Sequence, residues 1–102
     1  MIVVTASLLS RPGCETRLEA EVMRLLAATR REAGCLQYDL HVDTGDARRL
    51  VLIERWSDPA ALEAHRRTPH ISAFRDRSRS LLAEDPEVRV LAPLEPRPDG
   101  GP

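Results

Sequence analysis

Cys35–Asp43 reads CLQYDLHVD and Leu50–Trp56 reads LVLIERW. In the first stretch Leu36, Tyr38, Leu40 and Val42 alternate with Cys35, Gln37, Asp39 and His41. In the second Leu52, Glu54 and Trp56 alternate with Val51, Ile53 and Arg55. A period of two is that of a strand, whose successive side chains point to opposite faces. Asp43-Thr44-Gly45-Asp46 is turn chemistry. The two stretches therefore predict an antiparallel hairpin closed by a loop from Asp43 to Arg49.

Working outward, Ile2–Leu9 is short, apolar and β-branched at its start, and Pro12-Gly13 ends it. It predicts a strand buried on most of its surface. Leu18, Val22, Leu25, Leu26 and Thr29 then recur at helical spacing. They predict an amphipathic helix of about five turns or more, stopped by Gly34. After the hairpin, Ser57-Asp58-Pro59 opens a helix with Ser57 as its cap. Thr68-Pro69 restarts one, with Thr68 as cap and Pro69 in the first position. Ile71, Phe74, Ser78, Leu81 and Leu82 form its inward stripe, and Val88–Leu91 is a last short strand. The order β-α-β-β-α-β is the ferredoxin-like arrangement of the α+β class, a four-stranded antiparallel sheet with helices on one face. Its other face needs cover, because neither face of the hairpin is strictly polar. A second copy of the sheet supplies that cover, so a homodimer is expected. Residues 1–92 form one domain. Pro93–Pro102, with four prolines and two glycines, is a tail that builds no regular element.

Composition narrows the class. The 102 residues are 42% hydrophobic and 30% charged, with a net charge of −1, which is an ordinary globular balance. No basic field draws nucleic acid. All 15 basic residues are arginine, so lysine Schiff-base chemistry is excluded. Cys14 and Cys35 fit no disulfide or metal pattern and are expected as free thiols in a reducing, cytoplasmic setting. The N-terminal apolar run lacks the basic start and cleavage signature of a signal peptide, and no stretch is long enough to span a membrane.

Every aromatic and histidine lies between Tyr38 and Phe74: Tyr38, Trp56, Phe74, His41, His65 and His70. Rings give a site shape and apolar area, and imidazole titrates near neutrality. This window also carries a family signature. Gly-Cys-Leu-x-Tyr begins at Gly34, and Glu-x-Trp ends at Trp56. Asp-x-x-Ala-Leu-x-x-His runs from Asp58 to His65, and Thr68-Pro69-His70 precedes Phe74. With VVTASLLSRPG at the start, the chain resembles the antibiotic biosynthesis monooxygenase family over about residues 1–92. The resemblance implies a dimeric α+β barrel with a small pocket between sheet and helices in each subunit. It also implies oxidation of phenolic, quinol or anthrone-like aromatics by molecular oxygen without metal, flavin or haem. The substrate is then the reductant, and the protein promotes its deprotonation.

Within that frame His65 or His70 is the expected proton acceptor. His65 lies three residues after Leu62, close to the buried stripe, and His70 lies in the first turn of its helix, where the dipole favours a neutral ring. His41 and Glu54 form a second candidate pair across the hairpin, the carboxylate holding the imidazole tautomer. Tyr38, Trp56 and Phe74 are the expected apolar walls, and Arg55 and Arg75 are candidates for an anionic substrate group. No metal is expected, because the histidines have no zinc-like spacing with the cysteines and no His-x-x-x-His occurs. Haem-degrading relatives use an axial histidine on the last helix and usually an asparagine on the first strand; here the region after Phe74 reads Arg75-Asp76-Arg77, with no histidine, and the first strand offers Thr5 and Ser7 but no asparagine, so haem is disfavoured. The expected function is a cofactor-independent monooxygenase acting on a small aromatic, quinol or anthrone-like substrate. The alternatives are an isomerase or lyase using the same pocket for proton transfer, and a dimeric ligand-binding or stress-associated protein without turnover.

Overall fold

The computed structural model describes residues 1–95; of the expected tail, residues 96–102 lie outside it. The chain runs β1 (Ile2–Leu9), α1 (Glu15–Thr29), β2 (Cys35–Asp43), β3 (Asp46–Trp56), α2 (Pro59–Arg66), α3 (Pro69–Ser78), a 3₁₀ turn (Arg79–Leu81) and β4 (Glu87–Leu91). The four strands form one antiparallel sheet in the order β2-β3-β1-β4. This is the predicted ferredoxin-like α+β fold. One core joins sheet and helices. Val4, Ala6 and Leu8 of β1, Leu50, Leu52 and Trp56 of β3, and Tyr38 of β2 meet Leu18, Val22 and Leu25 of α1, with Leu62 and Ile71 closing it.

Local chemistry explains most boundaries. Asp58, not the expected Ser57, caps α2, its carboxylate accepting the Ala61 N–H at 2.8 Å. Thr68 caps α3 as predicted, ahead of Pro69. β1 alternates between buried and half-buried positions rather than being buried on most of its surface. β3 begins at Asp46, four residues before the expected start, and only Thr44-Gly45 turn. Pairing of Asp43 with Asp46 closes the hairpin there. At the other end of β2 the register shifts between Cys35 and Gln37. Leu36 is the extra residue of that bulge and stands 59% exposed instead of joining the face of Tyr38.

Helix α1 has 15 residues, about four turns, and stops at Thr29 rather than at Gly34. The chain then tightens through Glu32 N–H to Thr29 O at 2.9 Å and Cys35 N–H to Glu32 O at 3.2 Å. Gly34 sits at φ +84°, and a Cβ there would lie 2.6 Å from Ala61 Cβ and 2.7 Å from Ser57 Oγ. Left-handed backbone and close approach to α2 both demand glycine. Gly34→Ala is expected to cost about 2 kcal/mol or more, read as a fall in Tm of roughly 10 °C. A thermal melt within 2 °C or so of the native protein would contradict this.

Candidate active site

The register of β2 against β3 sets the site. Tyr38 pairs with Glu54, so both side chains stand on the helix-facing side of the sheet. Trp56 is two residues on and shares that face. Its indole Nε1–H donates to Glu54 Oε1 at 3.0 Å. Helix α2 lays His65 over this group, 4.6 Å from the Trp56 ring at 36° and 5.6 Å from Tyr38 at 62° between centroids. His65 is only 4% exposed.

A carboxylate anchors the histidines. Glu32, in the turn between α1 and β2, places Oε2 at 2.6 Å from His65 Nδ1 and at 2.7 Å from His70 Nε2. An ionised carboxylate only accepts, so both rings donate to that oxygen. Neutral His65 therefore carries its proton on Nδ1 and has the lone pair on Nε2. Five residues along an unbroken helix would separate the two histidines by about 140° around its axis. The break at Thr68-Pro69 removes that separation. Thr68 Oγ1 donates to the His65 carbonyl at 2.8 Å and accepts the Ile71 N–H at 3.4 Å, joining the end of α2 to the start of α3.

Beside these groups lies a cavity of about 270 Å³, whose walls include Tyr38, Leu52, Glu54, His65, Phe74 and Arg75. Drug-sized ligands occupy sites of about 300–1,000 Å³, so this space suits a molecule of one or two rings. Burial pushes the Glu54 carboxyl up to about 7, with the Trp56 hydrogen bond and Arg66 opposing the rise. Burial, followed by the nearby Glu54 carboxylate, pushes the Tyr38 phenol far above its usual range. Burial also lowers His65, while its bond to Glu32 opposes the fall. Near neutral pH the cavity thus presents a neutral imidazole, a phenol and a carboxyl close to half-ionised.

Several sequence expectations change here. His41 and Glu54 are not a pair. His41 pairs with Val51 on the opposite face of the sheet, exposed, with Nδ1 3.3 Å from the Val51 carbonyl oxygen. Trp56 is not a cavity wall; fully buried, it supports Glu54 and His65. His70 lines a separate hollow of about 120 Å³ with Glu21, Arg24 and Phe74. Tyr38, Phe74 and His65 do line the 270 Å³ cavity, as does Arg75, whereas Arg55 bonds Gln37 at 2.7 Å on the far face of the sheet. Glu32 went unrecognised in the sequence. Its signal was positional: an acid two residues before the glycine that must pack against α2.

The Glu32, His65 and His70 ligand atoms lie within 4.8 Å of one another, and two histidines with one carboxylate are a donor set that zinc and iron use. Spacing along the chain did not reveal the set. At 2.6 and 2.7 Å each nitrogen–oxygen contact has the length of a charge-assisted hydrogen bond with a proton between the two atoms.

The antibiotic biosynthesis monooxygenase family model matches residues 1–77. The chain belongs to that family. Among family relatives is a Mycobacterium tuberculosis protein named "Putative monooxygenase Rv0793", 37% identical over 94 residues, 92% of each chain. The solved structure of Rv0793 superposes with a TM-score of 0.87, covering 92% of this chain and 95% of that one. The structure of PA3566 from Pseudomonas aeruginosa gives 0.86 at 39% identity, covering 92% and 94%. The Escherichia coli protein named "Probable quinol monooxygenase YgiN" is 29% identical over 103 residues, 91% of this chain and 98% of its own. The two solved structures share the fold, and the names of the Mycobacterium tuberculosis and Escherichia coli relatives agree with a family-level monooxygenase assignment.

Proposed function

We propose that this protein is a cofactor-independent monooxygenase that oxidises a small quinol or anthrone-like aromatic with molecular oxygen. The observation that carries this reading is His65: a buried imidazole on an apolar cavity, tied by Nδ1 to Glu32 so that Nε2 is the proton acceptor. A phenolic hydroxyl bound among Tyr38, Phe74 and Leu52 gives its proton to Nε2. The electron-rich anion then reduces oxygen. One oxygen atom enters the substrate and the other leaves as water, the four electrons coming from the substrate. Glu54, partly protonated near neutrality, supplies a proton to the reduced oxygen. The quinol monooxygenase name of the Escherichia coli relative supports this substrate class.

The test is oxygen uptake with a panel of reduced naphthoquinones, hydroquinones and anthrones, using ¹⁸O₂ to follow the label. Uptake above the uncatalysed autoxidation rate, with one labelled atom in the product, supports the proposal. Proton exchange or isomerisation of a carbonyl compound without uptake assigns the pocket to the isomerase or lyase alternative. Ligand-induced rise in Tm with neither reaction assigns it to binding alone.

We further propose that two chains pair through the sheet face opposite the helices, in the cytoplasm. The open face carries Val3, Val51 and Ile53, with Leu91 of β4 paired opposite Val3 and 46% exposed in the single chain. The interface is expected to bury roughly 2,000 Å² or more in total. Sedimentation at low micromolar concentration is expected to give twice the chain mass; a single-chain mass would defeat the pairing. No helix among the described residues is long and apolar enough to cross a membrane.

A further inference from the structure

We propose that Glu32 is the positioning residue of the base: it fixes His65 in the Nδ1–H tautomer, and His70 is the second anchor that keeps the carboxylate in place. This rests on His65 acting as the base, and it assigns a function to two side chains that do not line the cavity. A neutral imidazole can carry its proton on either nitrogen, and only the form with Nε2 free accepts a substrate proton through that atom. The choice is made by what Nδ1 meets. Here it meets a carboxylate oxygen at 2.6 Å, with Glu32 13% and His65 5% exposed at the side chain.

The anchoring is over-determined. Glu32 is held in backbone by bonds to Thr29 and Cys35, and Gly34 ties the same turn to β3 through Ser57 N–H to Gly34 O at 2.9 Å. On the other side His70 Nε2 donates to the same oxygen at 2.7 Å, its ring centroid 6.1 Å from that of His65. His70 follows the Thr68 cap and Pro69, which start α3 and bring its ring to the carboxylate. Removing His70 frees the Glu32 carboxylate to turn; removing Glu32 leaves Nδ1 without an acceptor. The titratable or charged groups facing His65 are Glu32, His70 and Arg75, with Glu54, Arg66 and Tyr38 on the same cavity.

The experiment reads the tautomer directly, without substrate. Imidazole ¹H–¹⁵N correlation spectra of labelled protein, at a pH where His65 is neutral, are expected to show a protonated Nδ1 and a lone-pair Nε2. In Glu32→Ala this pattern is expected to give way to a tautomer mixture. Its quinol kcat is expected to fall at least about tenfold with KM changed by less than about threefold. Glu32→Asp is expected to restore part of both signals. If Glu32→Ala does not fold, Glu32→Gln keeps the shape and removes the charge. The His65 titration, followed by ¹⁵N shift, is then expected to move to lower pH, since the imidazolium loses its counter-charge. His70→Ala is expected to broaden or weaken the Nδ1–H signal of His65. Native His65 protonated on Nε2, or an unmoved His65 titration in Glu32→Gln, would overturn the proposal. Stoichiometric uptake of zinc or iron that abolishes the Nδ1–H signal would also overturn it, the ion having taken the proton's place. Absence of quinol turnover with the native tautomer as expected would sink the proposed function and leave the positioning intact.

Discussion

His65→Ala is expected to lower quinol turnover by roughly a hundredfold or more, the usual contribution of a positioned general base. His65 is the one histidine lining the cavity beside Tyr38 and Glu54, so the three histidines are expected to rank in a fixed order. His70→Ala acts through Glu32 and costs less. His41→Ala leaves kcat within about twofold, because His41 sits exposed on the opposite sheet face. His65→Ala also removes a ring packed 4.6 Å from Trp56, so a folding defect is a competing cause of lost activity. His65→Gln separates the two, since it refills much of the volume without supplying a base of suitable pKa. His65→Gln is expected to keep the native far-ultraviolet dichroism and cooperative thermal melt while losing turnover. The measurement is kcat and KM for oxygen uptake across pH 5–9. A His65→Gln rate within about threefold of native would move the base elsewhere and leave the substrate's own acidity to drive the step.

Strand alternation made the sheet legible, and it even sorted Glu54 with Trp56 and His41 with Asp39. It did not say which face of β2 met which face of β3. That depends on register, which shifts between the Asp43–Asp46 closing pair and the Val42–Leu50 pair, leaving Ala47 to Arg49 without partners on β2, and shifts again at the Leu36 bulge. A slip of one residue exchanges faces. The supposed His41–Glu54 pair therefore dissolved and the Tyr38–Glu54 pair took its place. The Thr68-Pro69 signal located the helix break, yet the consequence of the break, two histidines on one carboxylate, is a three-dimensional fact. Glu32 lies 33 residues from His65 and 38 from His70 in the chain, in a turn with no periodicity to mark it. Trp56 shows a different limit. Its face was readable, but whether a ring lines a cavity or backs its wall depends on where the helices leave space.

Glu54→Gln is expected to stabilise the protein above neutral pH and to do little in acid. Glu54 is 5% exposed, and burial raises its carboxyl to about 7 from an ordinary 4.5. A group raised on folding contributes stability that is complete below its unfolded value and is lost as pH climbs through its folded value. Above about pH 7 the native state therefore carries an ionised carboxylate that the unfolded chain keeps in water. The gap between about 7 and 4.5, at about 1.4 kcal/mol per pH unit, makes this a cost of roughly 3 kcal/mol. Glutamine keeps the shape, and its carbonyl accepts the Trp56 indole N–H in place of the carboxylate. The Tm of Glu54→Gln is expected to exceed the native value by roughly 15 °C above pH 7.5 and to converge on it near pH 4.5. His65 changes stability in the opposite direction: burial lowers its pKa, so its contribution is present above the ordinary histidine value and fades as pH falls. The Glu54→Gln difference curve removes that background because both proteins contain His65. A difference that is flat across pH 4–9 would show that Glu54 titrates normally. It would then be an ionised carboxylate at neutral pH with no proton to give to reduced oxygen.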